Sequence, residues 1–132
     1  MDDAKRRDLG LLILRVGMGG MFVGHGLPKM LGGPERWAAL GRNMTHFGID
    51  FAPTFWGFMA SFAELGGGVM LALGVAFRPA CALLLATMVV ASTKHLVGGD
   101  GFGKASHAIE AAIVFLSLLL IGSGRYAFRP RR

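Results

Sequence analysis

The sequence predicts an all-α integral membrane protein, a four-helix bundle with a short amphipathic helix between the first two spans. Three observations predict this fold class: a high apolar content, a low charge content and four long apolar runs. Of the 132 residues, 53% are hydrophobic, whereas soluble domains contain about 45–50%. Charged residues make up 17%, against roughly 25% in soluble proteins. At this length we expect a single transmembrane domain over residues 1–132.

The four apolar runs are each close to the ~20 residues that cross the hydrocarbon core of a bilayer as a helix. Because they are continuously apolar and lack alternation with a period of two, membrane-spanning strands are excluded. The first run is also too long for the apolar region of a signal peptide, and no small-residue cleavage site follows it. We therefore predict spans at about residues 9–31, 54–77, 79–97 and 104–122.

The connection between the first two spans has a pattern of its own. Gly32, Gly33 and Pro34 break the first helix. Apolar residues then recur at spacings of three and four, which predicts a short amphipathic helix on the membrane surface. These residues are Trp37, Leu40, Met44 and Phe47. A plain loop that contains apolar residues is the alternative.

Lysines and arginines predict the orientation, because cytoplasmic loops are enriched in them. Eight lie at the ends that we assign to the inside, namely Lys5, Arg6, Arg7, Arg78, Arg125, Arg129, Arg131 and Arg132. Five lie on the other side, namely Lys29, Arg36, Arg42, Lys94 and Lys104. We therefore expect both termini in the cytoplasm. Because these residues occupy helix ends and short loops, the net charge of +6 favours contact with an anionic leaflet over nucleic-acid binding.

Ionisable side chains within the predicted spans are the functional signal. Each costs roughly 2.5–3.5 kcal/mol on insertion, so such residues persist when they are paired or functional. They are Arg15, His25, Lys29, Glu64, His95, His107 and Glu110. The three on the first helix fall within an arc of about 80°. All except Arg15 and Glu64 fall in the outer third of the bundle, which predicts a polar pocket in its outer half.

Arg15 and Glu64 are expected to approach each other across the first two helices, judged from their depths at ~1.5 Å per residue. The residues leave two interpretations of this pair open, a structural ion pair that sets the helix register or part of a functional site. Lys29 and Lys94 have a structural interpretation too, since long basic side chains near helix ends reach to the interface.

Several motifs resemble those of the DoxX family of small four-helix bacterial membrane proteins. They are Leu14-Arg15-Val16, Gly24-His25-Gly26-Leu27-Pro28-Lys29-Met30, Glu64-Leu65-Gly66-Gly67-Gly68, Leu73-Gly74-Val75-Ala76-Phe77-Arg78-Pro79-Ala80, His95, Glu110 and Gly122-Ser123-Gly124-Arg125-Tyr126. The resemblance spans about residues 11–128. It implies a location in the bacterial inner (plasma) membrane and a subunit of a membrane redox system, since the family takes its name from subunits of a thiosulfate:quinone oxidoreductase. The tail departs from the family pattern at Ala127-Phe128-Arg129, where an aspartate is expected.

Quinone-linked redox chemistry is the first functional hypothesis. Glu64, His25 and Glu110 are the catalytic candidates, because carboxylates relay protons and imidazole titrates near neutral pH. The candidates for binding a quinone are Arg15, Lys29, His95 and His107. With Cys81 as the single cysteine and no CxxC motif, thiol-relay chemistry within the chain is disfavoured. A redox partner protein would deliver the electrons.

The same residues allow other functions. Ligation of haem by two histidines is disfavoured because the histidines lie near the outer surface. A metal site at His107 and Glu110 lacks a second such pair, so no metal is expected. A non-catalytic membrane scaffold or a small-molecule transporter, with structural charges, is the alternative function. The sequence leaves open whether the chain is itself an enzyme and whether it forms a homo-oligomer.

Overall fold

The helices follow the apolar runs of the sequence. The computed structural model describes residues 1–128, so three of the C-terminal arginines counted for the orientation (Arg129, Arg131 and Arg132) lie outside the described residues. The helices are α1 (Asp3–Leu31), α2 (Gly33–Gly41), α3 (Pro53–Leu73), α4 (Phe77–Val97) and α5 (Phe102–Ile121), with a 3₁₀ turn at Arg42–Phe47. Helices α1, α3, α4 and α5 are long and apolar enough to cross a membrane, which confirms the predicted all-α membrane bundle.

Local chemistry explains where the helices depart from the predicted bounds. Helix α1 begins six residues earlier than expected, because the side chain of Asp2 caps it by accepting a hydrogen bond of 2.8 Å from the backbone N–H of Lys5. Helix α3 ends early at Leu73, since Gly74 adopts a φ of +76° that closes the helix in the left-handed region.

The outside of the bundle is apolar. Many large hydrophobic side chains are exposed along the four long helices; Ile13 is 72% exposed and Leu120 is 75% exposed. Inside, the core joins all four long helices through Leu11, Phe22, Leu71, Phe77, Cys81, Leu84, Met88, Ala108, Phe115 and Leu118. Apolar side chains on the outside suit contact with lipid. The helices also satisfy their own backbone hydrogen bonds, which the hydrocarbon core of a bilayer requires. The chain is therefore a multi-pass membrane protein in contact with the bilayer.

The helices pack side by side in the order α1, α3, α4, α5, without close backbone contact between the first and the last. Helix α3 contacts both α1 and α4, while α5 packs on α4. No Cα atom of α1 lies within 8 Å of a Cα atom of α5. These two helices meet instead through the rings of Phe22 and Phe115, whose centroids are 4.9 Å apart. The α1–α5 side of the bundle is therefore closed by side chains and not by close backbone packing.

Glycines set the register of α1 on α3. A Cβ atom added at Gly19 would lie 2.5 Å from the carbonyl oxygen of Gly68, and one at Gly26 would lie 2.5 Å from the backbone nitrogen of Leu65. Only glycine allows the two backbones to come this close. Gly26 thus lies opposite Glu64–Leu65, and Gly19 lies opposite the last turns of α3.

The predicted short helix exists as α2, continued by the 3₁₀ turn. It packs along the first half of α3, where Gly57 lies against the backbone of Trp37 and Gly41 lies against Pro53. The Trp37 ring also meets Phe58 edge to face at 5.1 Å. We call the end of the bundle that carries α2 and the α4–α5 loop the distal end. The end that carries residues 3–8, the α3–α4 turn and residues 122–128 is the basal end.

Candidate functional site

An ion pair joins α1 and α3 within the apolar bundle. The Nζ atom of Lys29 lies 2.9 Å from Oε1 and 3.0 Å from Oε2 of Glu64, so the ammonium donates to both carboxylate oxygens. The Glu64 side chain is 8% exposed, while that of Lys29 is 28% exposed. The carboxylate is therefore sealed in the helix interface, whereas the ammonium remains partly accessible.

Three features position this lysine. Pro28 precedes it inside α1 and has no N–H, so the helix lacks one backbone hydrogen bond there. The carbonyl oxygen of Lys29 accepts a hydrogen bond of 3.1 Å from Nε1 of Trp37 on α2. The close approach at Gly26 brings the α1 backbone to Glu64. The sequence singled out Lys29 and Glu64 separately, but the role of Trp37 carried no signal beyond its place in the amphipathic pattern.

The predicted approach of Arg15 to Glu64 is wrong. Arg15 is 2% exposed, and its guanidinium donates to the carbonyl oxygens of Ser123 at 2.9 Å and Ala72 at 3.2 Å. The register at Gly19 and Gly26 places it beside Gly74. Gly74 is ten residues from Glu64, or about 15 Å along α3. Depths counted from estimated span ends were too coarse to detect this offset, and Lys29 takes the place predicted for Arg15.

His25 lies about one helical turn before Lys29 on α1. It follows Gly24 at the level where Gly26 meets α3, and its ring contacts Phe22 edge to face with centroids 5.9 Å apart. The same Phe22 ring contacts Phe115 of α5. His25 itself is exposed. It therefore lies at the rim of the α1–α5 side, beside the aromatic contact that closes it.

His95 forms a separate polar contact in the distal loop. Its Nδ1 atom lies 2.9 Å from Oδ2 of Asp100, and the two side chains are 27% and 36% exposed. This hydrogen bond holds the pKa of Asp100 below its ordinary value, with the charge of Lys104 acting in the same direction. His95 thus caps the turn between α4 and α5 and is not joined to the Lys29–Glu64 pair.

His107 and Glu110 are not drawn into the ion pair. Both are exposed on α5, and neither side chain makes a hydrogen bond to residues 1–128. Glu110 is two residues from the buried Ala108, about 200° around the helix, so it faces away from the core. Within the described part of the chain, no three His, Cys, Asp or Glu side chains could together hold a metal ion.

A groove of about 1040 Å³ opens at the basal end, far from the outer-half pocket that the sequence predicts. It is lined by Arg7, Asp8, Leu11, Gly74, Ala76, Phe77, Arg78, Pro79, Ile121, Gly122, Ser123, Gly124 and Arg125. Its three arginines were interpreted from the sequence as orientation signals alone. Only the folding of residues 122–128 back over the bundle brings them together.

The fold and the ion pair define a class, that of small multi-pass helical membrane proteins with a charged pair inside the bundle. The DoxX family model matches residues 10–96, so this chain belongs to the DoxX family, as its motifs predict. The chain is also similar to a Bacillus subtilis (strain 168) protein described as "Putative oxidoreductase CatD". The two are 29% identical over 126 residues, which is 96% of this chain and 89% of that protein. No solved structure matches the chain significantly.

Proposed function

We propose that this protein is a subunit of a quinone-linked membrane redox system, with its quinone site beside the Lys29–Glu64 pair. The observation that carries the proposal is the pair itself, an ammonium and a carboxylate held 2.9 Å apart inside the apolar bundle. Ionisable groups at such positions commonly mark proton or ligand pathways in membrane proteins. The description of the Bacillus subtilis relative as an oxidoreductase supports the redox part of the proposal.

The surroundings of the pair fit a lipid-soluble ring. Lys29 is seven residues beyond Phe22, which places both within about 20° on one face of α1 and about 10 Å apart along it. Ala108 is likewise seven residues before Phe115 on α5, so a small side chain lies on α5 two turns above the Phe22–Phe115 contact. Aromatic rings at one end and an ammonium at the other match the apolar ring and polar carbonyl oxygens of a quinone.

Each polar residue at this site has a role in the proposal. The Lys29 ammonium donates a hydrogen bond to a quinone carbonyl oxygen, and its 28% exposed side chain leaves it free to do so. Glu64 balances the charge of the Lys29 ammonium. After that ammonium has given a proton to the reduced quinone, Glu64 passes replacement protons to the Lys29 amine. His25 exchanges those protons at the rim. Quinone reduction takes up two electrons and two protons, and the electrons come from a redox partner protein.

The site leaves four predicted residues without a role in quinone binding. Arg15 donates to carbonyl oxygens at the basal end. His95 is engaged by Asp100, while His107 and Glu110 are exposed on α5. We place the protein in the bacterial inner membrane with both termini in the cytoplasm, which puts the ion pair in the outer half of the bilayer.

Gentle detergent purification followed by mass analysis of the extracted lipids tests the proposal. We expect co-purified quinone, and we expect quinone analogues to raise the melting temperature of the wild type. Lys29→Met should abolish both effects, whereas Lys104→Met, which removes an exposed lysine from the distal end, should preserve them. If no quinone co-purifies and the analogues leave the melting temperature unchanged, the proposal is wrong. If Lys29→Met lowers stability yet retains quinone, the ion pair is structural and the proposed location of the quinone site is wrong.

A further inference from the structure

The basal groove gathers positive charge from three separate parts of the chain. Arg7 comes from the first turns of α1, Arg78 from the first turn of α4 and Arg125 from the segment that follows α5. A fourth guanidinium, that of Arg15, lies behind the groove wall, where it contacts Gly74 and donates to the Ser123 carbonyl oxygen. The carboxylate of Asp8 is the single negative side chain among the lining residues. The groove is therefore strongly positive.

One arginine of the groove, Arg78, is oriented in advance. The Nε atom of Arg78 donates to the carbonyl oxygen of Leu119 at 3.1 Å, which holds the guanidinium against the end of α5. Asp8 is engaged as well, since its Oδ1 atom accepts a hydrogen bond of 3.3 Å from the backbone N–H of Arg125. These contacts fix the relative positions of α1, α4 and the C-terminal segment around the groove. A guanidinium that is held in place binds phosphate oxygens with less loss of freedom than a mobile one.

The lining of the groove is apolar as well as charged. Leu11, Phe77 and Ile121 line it together with the arginines, at the level where the four apolar helices end. The first turn of α4 also lacks a side-chain cap, so its N–H groups add to the positive potential. In a bilayer this is the depth at which lipid phosphates meet acyl chains.

We propose that the basal groove binds the phosphate group of an anionic phospholipid, with Arg7, Arg78 and Arg125 around the headgroup and the exposed Ile121 side chain against the lipid chains. This site is independent of the quinone site proposed above, because it lies at the opposite end of α1. It differs from general attraction to an anionic leaflet because it requires particular arginines and a particular lipid class.

Adjacent arginines on α1 provide a matched test. Arg7 lines the groove, whereas Arg6 does not and instead lies 3.9 Å from Asp3 at the surface. The full chain is purified with mixed phosphatidylglycerol and phosphatidylcholine, and retained lipids are counted by native mass spectrometry. We expect preferential retention of phosphatidylglycerol. Arg7→Gln and Arg125→Gln should each weaken it about fivefold, while Arg6→Gln should leave it unchanged.

Arg78 is tested separately because it also contacts Leu119. Arg78→Gln should reduce retention of phosphatidylglycerol, and Arg78→Lys should recover only part of it, since an ammonium cannot bind phosphate through two parallel hydrogen bonds. Melting temperatures of all variants in phosphatidylcholine alone show whether each one folds. The wild-type Arg7 side chain makes no hydrogen bond to residues 1–128. The Arg7→Gln variant therefore keeps the test valid if Arg78→Gln does not fold.

Two results would overturn the inference. Equal effects of Arg6→Gln and Arg7→Gln would show general electrostatic attraction without a defined site. The second result is a comparison with glycerol 3-phosphate. If this compound stabilises the detergent-purified chain as much as phosphatidylglycerol does at the same concentration, the groove binds a soluble phosphate compound instead of a lipid.

Discussion

Lys29 and Glu64 show how a charged pair is tolerated between two membrane helices. Removing two charges from water costs several kcal/mol for each ion, and the attraction between them recovers this cost only with good geometry. Here both carboxylate oxygens of Glu64 accept a hydrogen bond from the Lys29 ammonium, at 2.9 and 3.0 Å. The pair is therefore balanced as a unit, while Glu64 without Lys29 would be a buried, uncompensated charge.

The first prediction concerns this balance. Lys29→Met should lower the free energy of unfolding by about 3 kcal/mol, because it leaves the buried Glu64 carboxylate without its partner. Glu64→Gln should lower it by less, because the Lys29 side chain is partly exposed. The double variant should recover much of the loss. Thermal unfolding of the four proteins in one detergent measures this, and simple addition of the two single effects would show that the residues do not interact.

Arg15 stabilises the basal end through backbone carbonyls. Its guanidinium connects α1 to the end of α3 and to the segment after α5. Carbonyl groups at helix C-termini have no partner within the helix, and a cation there is favourable. A single buried arginine thus connects three parts of the chain.

Replacement of Arg15 should release the C-terminal segment. We expect Arg15→Leu to lower the free energy of unfolding by about 2–4 kcal/mol, since one buried and one partly buried carbonyl lose a donor. Arg15→Lys should have a smaller effect. Faster tryptic cleavage after Arg125 reports release of the segment, with Arg42→Leu on the exposed distal surface as the control. Cleavage at the wild-type rate in Arg15→Leu would contradict this role.

At the scale of the elements, backbone packing of α1 on α3 decides the register. Gly26 lies directly against the backbone of α3, whereas an added Cβ at Gly24 would meet nothing within 4 Å. Both glycines belong to the same turn of α1. Their spacing in the sequence therefore does not reveal which of them is required.

This difference gives a direct comparison. Gly26→Ala should lower the free energy of unfolding by about 1–3 kcal/mol, because the methyl group forces α1 away from α3 and lengthens the Lys29–Glu64 contact. Gly24→Ala should be neutral or stabilising, since alanine favours the helix over glycine. Melting temperatures in detergent compare the two, and equal losses would refute the register described here.

The α4–α5 loop carries a pH-dependent contact. Because its hydrogen bond with His95 lowers the pKa of Asp100, the folded state favours the carboxylate. The contribution of the His95–Asp100 contact to stability is therefore fully present above the ordinary aspartate pKa of about 3.9. It is lost as the pH falls through the lower pKa that Asp100 has in the folded state. Asp100→Asn should thus lower the melting temperature at pH 7, and the difference from the wild type should shrink below about pH 4. Asp50→Asn, which changes another exposed acid, is the control. If the difference in melting temperature between Asp100→Asn and the wild type does not depend on pH, the His95–Asp100 contact does not act as described.

For the whole molecule, the start of α1 and the segment of residues 122–128 lie at the same end of the bundle. The hydrogen bond between Asp8 and the backbone of Arg125 brings the start of α1 to the segment after α5. An even number of membrane-crossing helices, four here, likewise returns the chain to the side from which it started. Which side of the membrane this is depends on the distribution of basic residues, and that distribution predicts the cytoplasm.

Cysteine labelling tests the orientation. Cys81 is fully buried, so it should react little with a membrane-impermeant thiol reagent. We expect Thr45→Cys, at the distal end, to be labelled in intact cells, and Ala4→Cys, at the basal end, to be labelled only after permeabilisation. The reverse pattern would place both termini outside and would move the Lys29–Glu64 pair to the cytoplasmic half.

The sequence by itself determined the four helices, the short helix after the first of them and the family. Length and hydropathy suffice for this, because a bilayer accepts few structures. It also identified Lys29 and Glu64, since charges within apolar runs are conspicuous. Only the tertiary structure decided that they pair with each other, that Arg15 binds carbonyls and that three arginines share a groove. The physical reason is that helix register depends on the contact of Gly19 and Gly26 with the α3 backbone and on the fold of residues 122–128, and neither leaves a periodic pattern in the chain.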